Sequence, residues 1–185
     1  MRRIIFIIVI TLCSAGCATT ATKDISEKLD KAKIYRVYNV SATNLASRSK
    51  CETLPTVKII NDETRTDEYE VLENPPFYGV VNPKELMDSV VLYLKDGFAE
   101  SNIKSDDKSS KIIKIKMVEL KSVAGFWSFG SHCKLSLTIP EINFTNSYEA
   151  YDNSGAGYAA AAYAIHSVTR KIIEDTEVQD YILCK

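Results

Sequence analysis

Cysteine and histidine are the side chains of this sequence that could form a nucleophile–base pair or bind a metal ion. There are two histidines, His132 and His166. His132 precedes Cys133 in an alternating segment, so the two side chains point to opposite faces of a strand and cannot pair. His166 lies in a helical segment and could reach Cys133 only through the fold, and no further histidine completes a zinc site. We therefore predict no catalytic residue, no metal site, no cofactor and no enzymatic activity.

Two other patterns resemble functional motifs but lack the surroundings those motifs need. The segment Gly155 to Ala160 matches G-x-G-x-x-A, the turn of dinucleotide-binding domains, which requires a second strand with an acidic residue about 20 positions later. Here the following helix runs almost to the C-terminus, so the small residues predict close packing of that helix on a sheet. The acidic residues between Asp62 and Glu70 lack the spacing and the glycine of a calcium-binding loop and predict a solvated segment.

The N-terminal segment has the composition of an export signal. Two arginines precede a nine-residue run, Ile4 to Leu12, that is apolar except for Thr11, and small residues then lead to Cys17. The apolar run is too short to span a bilayer. The segment resembles the signal of a bacterial lipoprotein, in which residues 1–16 are removed and the cysteine carries fatty acids such as palmitate; the alternative is ordinary secretory cleavage. The resemblance implies a lipid anchor facing the periplasm, and Ala18 favours the outer membrane over the inner.

Composition sets limits on the exported chain. Residues 17–185 contain 21 basic and 24 acidic residues, a net charge of −3. Nucleic-acid binding proteins usually carry a basic face, so this balance argues against nucleic acid as a partner. Residues 17–30 are mostly small and polar and predict a lipidated cysteine followed by a flexible tether. Residues 31–185 are enough for a single domain with its own core.

Three cysteines follow Cys17 in the exported chain, and an oxidising periplasm allows one disulfide among them. Cys133 shares an apolar face with leucines, where a free cysteine behaves as a small hydrophobe. Cys51 lies in a connection and Cys184 lies next to the chain end, so both can approach one another. We predict a disulfide between Cys51 and Cys184.

Periodicity and capping residues define the secondary structure. Asn82 can cap a helix, with Pro83 in its first turn and Glu85 at the capping-box position. Pro140 forbids a two-residue hairpin turn, which favours a bulged strand through Phe144. The predicted elements are strands at 31–40 and 56–60, a loop at 61–82, a helix at 82–101, strands at 111–120 and 132–144, a turn at 145–147, a strand at 148–152 and a helix at 156–176. This order, β-β-α-β-β-β-α, predicts an α+β fold with a mainly antiparallel sheet and two helices packed on one face.

Four segments carry a resemblance to a known family: TVKIINDETR, NPKELMDSVVLYLKDGFAESNI, SSKIIKIKMVEL and SYEAYDNSGAGYAAAAYAIHSVTRKIIED. In element order and residue character they resemble the YajG-like family of small bacterial lipoproteins. That family usually has Asp-x-Arg after its early strand, whereas this chain has Asp62-Glu63-Thr64-Arg65, one residue longer. Similar domains occur in envelope-assembly and transporter-auxiliary lipoproteins, so the resemblance implies a binding or assembly role.

An aromatic cluster lies between two predicted strands. Phe126, Trp127 and Phe129 are flanked by glycines in a predicted loop, and exposed aromatic loops often mark a partner or membrane-interface site. The alternative is that the loop folds back and caps the core. We expect a lipid-anchored binding or assembly module whose partner, besides the membrane, is another envelope protein. The alternative function is a carrier or assembly factor for a lipid or glycan.

Overall fold

The computed structural model describes residues 21–32, 49–72 and 79–185. The predicted signal peptide, Cys17 and the main part of the predicted strand at 31–40 lie outside these residues. The elements in chain order are α1 (Ala21–Ala32), β1 (Thr56–Asn61), β2 (Tyr69–Leu72), β3 (Gly79–Val81), α2 (Pro83–Glu100), β4 (Lys104–Ser105), β5 (Ile112–Ala124), β6 (Phe129–Ile139), β7 (Phe144–Ser154), α3 (Gly157–Glu174) and α4 (Thr176–Ile182).

The predicted α+β class is confirmed, and the sheet is mixed. Strands β5, β6 and β7 form an antiparallel meander, whereas β1 runs parallel to both β5 and β4. Strand β2 also pairs with β5, near the far end of that strand, and β3 pairs antiparallel with β2. The parallel pairing follows from α2, because a helix that crosses one face of the sheet carries the chain back to the end at which β1 begins, so the next strand runs in the same direction.

The core lies between one face of the sheet and the helices. On β6, Cys133, Leu135, Leu137 and Ile139 are all buried, as the alternation predicts. The predicted inward stripe of α3, Ala159 to Ile172, is buried as well. Helix α2 begins where predicted, because the side chain of Asn82 accepts a hydrogen bond from the Glu85 amide at 3.2 Å. Both long helices therefore pack on the same face.

The connections differ from the sequence prediction at three places. The predicted loop at 61–82 contains the short strands β2 and β3. Strands β6 and β7 meet through a 3-10 turn at Pro140–Ile142, followed by Asn143 in the left-handed region at φ 50°. The predicted bulged strand through Phe144 and the predicted turn at 145–147 are thus wrong, because the chain already reverses at residues 140–143 and Phe144 begins β7. The predicted last helix ends at Glu174, and Asp175 caps α4.

The largest departure is at the N-terminal end of the described chain, where a helix replaces the predicted tether over residues 21–30. Ile25 and Leu29, four positions apart, are each only 1% exposed and join the hydrophobic core. The hydroxyl of Thr22 accepts a hydrogen bond from the Asn82 amide at 3.0 Å, and Ser26 is hydrogen-bonded to Ser89. Helix α1 is therefore part of the domain, which begins before residue 31.

Candidate contact site

The connection between β5 and β6 forms a tight, exposed tip. Ala124 pairs with Phe129, and the Gly125 amide donates to the Ser128 carbonyl oxygen at 2.7 Å. A Cβ on Gly125 would lie 2.9 Å from that oxygen, so the turn requires glycine. Strands β5 and β6 stay paired up to Ala124 and Phe129. The two residues between Gly125 and Ser128 therefore lie at the end of a paired hairpin.

Those two residues are Phe126 and Trp127, and each is 87% exposed. Their rings meet edge to face, with 4.6 Å between centroids and an interplanar angle of 87°. The alternative that this loop caps the core is therefore wrong for both residues. We call this pair the aromatic tip.

Phe129, the third predicted contact residue, is not part of the aromatic tip. It is the first residue of β6 and is half-buried, and by strand alternation it shares the face of Ser131 and Cys133. The prediction grouped three aromatic residues as a loop, but the structure places only two of them beyond the paired strands.

More apolar surface lies beside the aromatic tip on the sheet face that no described helix covers. Val123 is half exposed, and Tyr151 on β7 is 62% exposed. A Cβ on Gly130 would lie 1.9 Å from the Tyr151 hydroxyl oxygen, so the tyrosine ring lies across a glycine that leaves room for it. Any larger residue at position 130 would displace the ring. The apolar surface thus extends from the aromatic tip onto the sheet.

Hydrogen bonds between polar groups hold the base of this hairpin in place. The hydroxyls of Ser122 and Ser131 share a hydrogen bond of 2.6 Å on the helix-facing side, where both residues are buried. The Tyr69 hydroxyl accepts from the Leu120 amide at 2.8 Å and donates to the carbonyl oxygen of the same residue. The serine pair joins β5 to β6 and the tyrosine bonds join β2 to β5, so the base of the hairpin is well fixed.

An ion pair holds the loop after β1 to an irregularity in β5. The Glu63 carboxylate, 4% exposed, accepts from the Arg65 guanidinium at 2.7 and 2.9 Å and from the Thr64 and Arg65 amides at 3.0 Å. Arg65 also donates to the carbonyl oxygen of Met117, where the β5–β6 register shifts before Glu119. The hydrogen bonds from Arg65 lower the pKa of Glu63 from 4.5 to about 2. The acidic partner of Arg65 is Glu63, two residues before it, rather than Asp62.

Charged side chains of both signs cover much of the open sheet face. His132 lies between two carboxylates, 3.6 Å from Glu119 and 3.7 Å from Glu149, and Lys134 is 3.3 Å from Glu149. Lys116 is exposed on the same face. A surface of this kind is well hydrated and offers both hydrogen-bond donors and hydrogen-bond acceptors to a partner.

Side chains occupy part of the free edge of β7. Among the described strands, β7 pairs only with β6. The amide of Ser147 donates to Asn146 Oδ1 at 2.8 Å, and that of Asn153 donates to Asp152 Oδ1 at 3.0 Å. The Lys171 ammonium donates to the Glu149 carbonyl oxygen at 2.7 Å. These side chains occupy three outward-facing backbone groups of β7, so an added strand would have to displace them.

The side chains considered for thiol chemistry are not arranged for it. Cys133 is fully buried, and burial raises the pKa of its thiol to about 12. His132 lies on the opposite face of the sheet, as predicted, and His166 is hydrogen-bonded to the Tyr93 hydroxyl. The described residues contain no group of three or more histidine, cysteine or acidic side chains that could hold a metal ion.

The predicted disulfide between Cys51 and Cys184 is present, with 5.2 Å between the two Cα atoms. Beside it, the Lys50 amide donates to the Leu183 carbonyl oxygen at 2.9 Å. The bond closes a separation of 133 residues and ties the start of the sheet domain to the chain end.

Fold and site together define an α+β domain with a disulfide, a one-sided helical layer and an aromatic hairpin tip. A scan against protein-family models and searches of curated proteins and of solved structures found no match to the chain. Within the described residues no helix is long and apolar enough to cross a membrane.

Proposed function

We propose that this chain is a lipid-anchored binding or assembly module of the bacterial cell envelope, facing the periplasm and without chemistry of its own. The aromatic tip is the observation that carries the proposal. Two large rings that are 87% exposed contribute little to folding, whereas rings of this type provide much of the binding energy at contact sites. The hairpin below them is paired and hydrogen-bonded, so the tip is presented in a defined geometry.

Acylation of Cys17 is the second part of the proposal. The export signal and the small residues before the cysteine support it, and Ala18 favours the outer membrane. The disulfide between Cys51 and Cys184 is compatible with this location, because such bonds persist in oxidising compartments.

The partner that we propose is another envelope protein, bound on the open sheet face. Tyr151 and Val118 are exposed there among the charged side chains of both signs. Tyrosine is enriched at protein interfaces, because its ring buries a large area while its hydroxyl remains hydrogen-bonded. Side chains occupy part of the free edge of β7, which favours a contact on the face of the sheet.

The carrier alternative has weaker support. A carrier for a lipid needs a concave, mostly apolar cavity. The described residues form a cavity of about 260 Å³ that is lined by Asp24, Glu27, Lys28 and Tyr158. Three of its four lining residues are charged, and this lining does not suit an acyl chain.

Mass spectrometry and site-specific photo-crosslinking test the proposal. The mature protein should begin at an acylated Cys17. With a photoreactive phenylalanine derivative at Tyr151, irradiation of native membranes should give a discrete protein adduct. The same derivative at Leu92, an exposed apolar residue on α2, is the matched control and should give none. A free Cys17 thiol would refute the anchor, and equal labelling from both positions would refute the binding face.

A further inference from the structure

The aromatic tip and the start of the described chain lie at the same end of the domain. Asp24 of α1 and Tyr158 of α3 line one cavity. Tyr158 is in the first turn of α3, four residues after Ser154, and Ser154 pairs with Phe129 at the base of the aromatic tip.

A second set of contacts leads to the same placement. Thr22, in the first turn of α1, binds the amide of Asn82, which directly follows β3. In the β2–β3 pair Val81 lies opposite Tyr69, and the Tyr69 hydroxyl is hydrogen-bonded to Leu120, so Asn82 lies beside the half of β5 that ends at the aromatic tip. The chain therefore enters the domain on the side of the aromatic tip.

The length of chain between the proposed anchor and α1 limits how far this end can be from the bilayer. Cys17 and Ala21 are separated by four residue steps, and four extended residues span at most about 14 Å. An acylated Cys17 would therefore hold the tip end of the domain next to the membrane surface. This step depends on the acylation proposed above.

The chemistry of the tip suits the layer between lipid headgroups and acyl chains. Tryptophan is concentrated there, because its ring is apolar and its N–H remains hydrogen-bonded. The sequence has no acidic residue between Glu119 and Glu141, while Lys121 lies three residues before the turn. The tip thus brings no negative charge of its own towards anionic headgroups.

We propose that Phe126 and Trp127 insert into the interfacial layer of the same membrane that holds Cys17. The acyl anchor supplies the affinity, and the aromatic tip supplies a second point of attachment that sets the orientation of the domain. Because the anchor makes the second contact intramolecular, even a weak insertion is populated. The open sheet face then stands roughly perpendicular to the membrane, accessible to a protein.

Trp127 is the only tryptophan of the chain, so its fluorescence reports on the tip alone. The experiment uses the acylated mature protein in vesicles of phosphatidylethanolamine and phosphatidylglycerol. We expect the emission to shift to the blue on incorporation and to be quenched by lipids brominated near the headgroup end of their acyl chains. An emission that stays unshifted and unquenched, while the protein remains bound to the vesicles, would overturn the insertion and leave the anchored module intact.

A matched control moves the tryptophan to the opposite end of the sheet. Ile142 is half exposed and lies in the β6–β7 connection. The length of β6, at about 3.3 Å per residue, places it about 33 Å from the aromatic tip. In the variant Trp127→Phe with Ile142→Trp, we expect no quenching by the brominated lipids. Equal quenching at both positions would contradict a defined orientation.

Two further results separate the possible failures. Loss of vesicle binding in Cys17→Ser with retention in Trp127→Ala is expected, since the anchor supplies the affinity. If Trp127 is accessible to water in pure lipid vesicles but protected in native membranes, a protein rather than the bilayer occupies the tip, and the insertion is refuted. If the mature chain carries no acyl group, the proposed function itself fails.

Discussion

Replacing Glu63 by glutamine should destabilise the domain and should do so in a pH-dependent way. Glu63→Gln retains the size of the side chain but removes the charge that the Arg65 guanidinium and two amides bind. A pKa lowered from 4.5 to about 2 corresponds to about 3 kcal/mol of folding free energy at pH 7. Because the pKa is lower in the folded state, this contribution is complete above the unfolded pKa and is lost as the pH falls from about 5 towards 2. At pH 3 the wild type should retain an advantage of only about 1 kcal/mol.

Urea unfolding with the disulfide intact, at pH 7 and at pH 3, measures this difference. The neighbouring variant Asp62→Asn is the matched control, because Asp62 is 46% exposed and its oxygen is 3.7 Å from the Lys114 ammonium. An exposed pair of this kind contributes at most about 1 kcal/mol. The reasoning is refuted if Glu63→Gln costs the same at both pH values, or if Asp62→Asn costs as much as Glu63→Gln at pH 7.

Three further predictions concern the other features of the domain. Replacing both Cys51 and Cys184 by serine should lower the free energy of unfolding by about 5 kcal/mol, since the disulfide closes a long loop; thermal melts with and without reductant should agree for the variant only. Trp127→Ala should change the free energy of unfolding by less than about 0.5 kcal/mol because the ring is exposed, whereas Leu29→Ala should cost about 2–5 kcal/mol if α1 is docked as described; urea titration compares the two. Cys133 should resist thiol reagents at pH 8 until urea unfolds the chain, because it is buried and the pKa of its thiol is about 12; rapid labelling of the native protein would contradict this.

The features that the sequence predicted correctly depend on local signals. Helix α2 begins at Asn82 because its side chain, the following proline and Glu85 all favour the same N-terminus. The alternation on β6 appears as a buried face, and Cys51 and Cys184 pair because they lie in a connection and beside the chain end. Each of these follows from neighbouring residues or from a small number of possible partners.

The features that the sequence did not predict depend on contacts between distant segments. Among the α1 side chains that the structure describes, Ile25 and Leu29 are the buried apolar ones, and the stability of the helix comes from the helices that it packs against. The pairing of Glu63 with Arg65 becomes favourable because Met117 offers a carbonyl oxygen at an irregularity of β5. Composition alone did not show whether the aromatic tip is exposed or buried, because the same residues also fit a loop that caps the core.

The disulfide also determines how the domain would respond to mechanical load. Cys51 and Cys184 enclose every described element from β1 to α4 in one covalent ring, and α1 is the described element outside it. A force between the membrane and a partner on the sheet would act on α1 first, because the ring prevents the sheet from being pulled out from either end. Undocking of α1 would free its 12 residues, an added reach of up to about 42 Å. The domain would then extend from a short tether to a long one without unfolding its sheet.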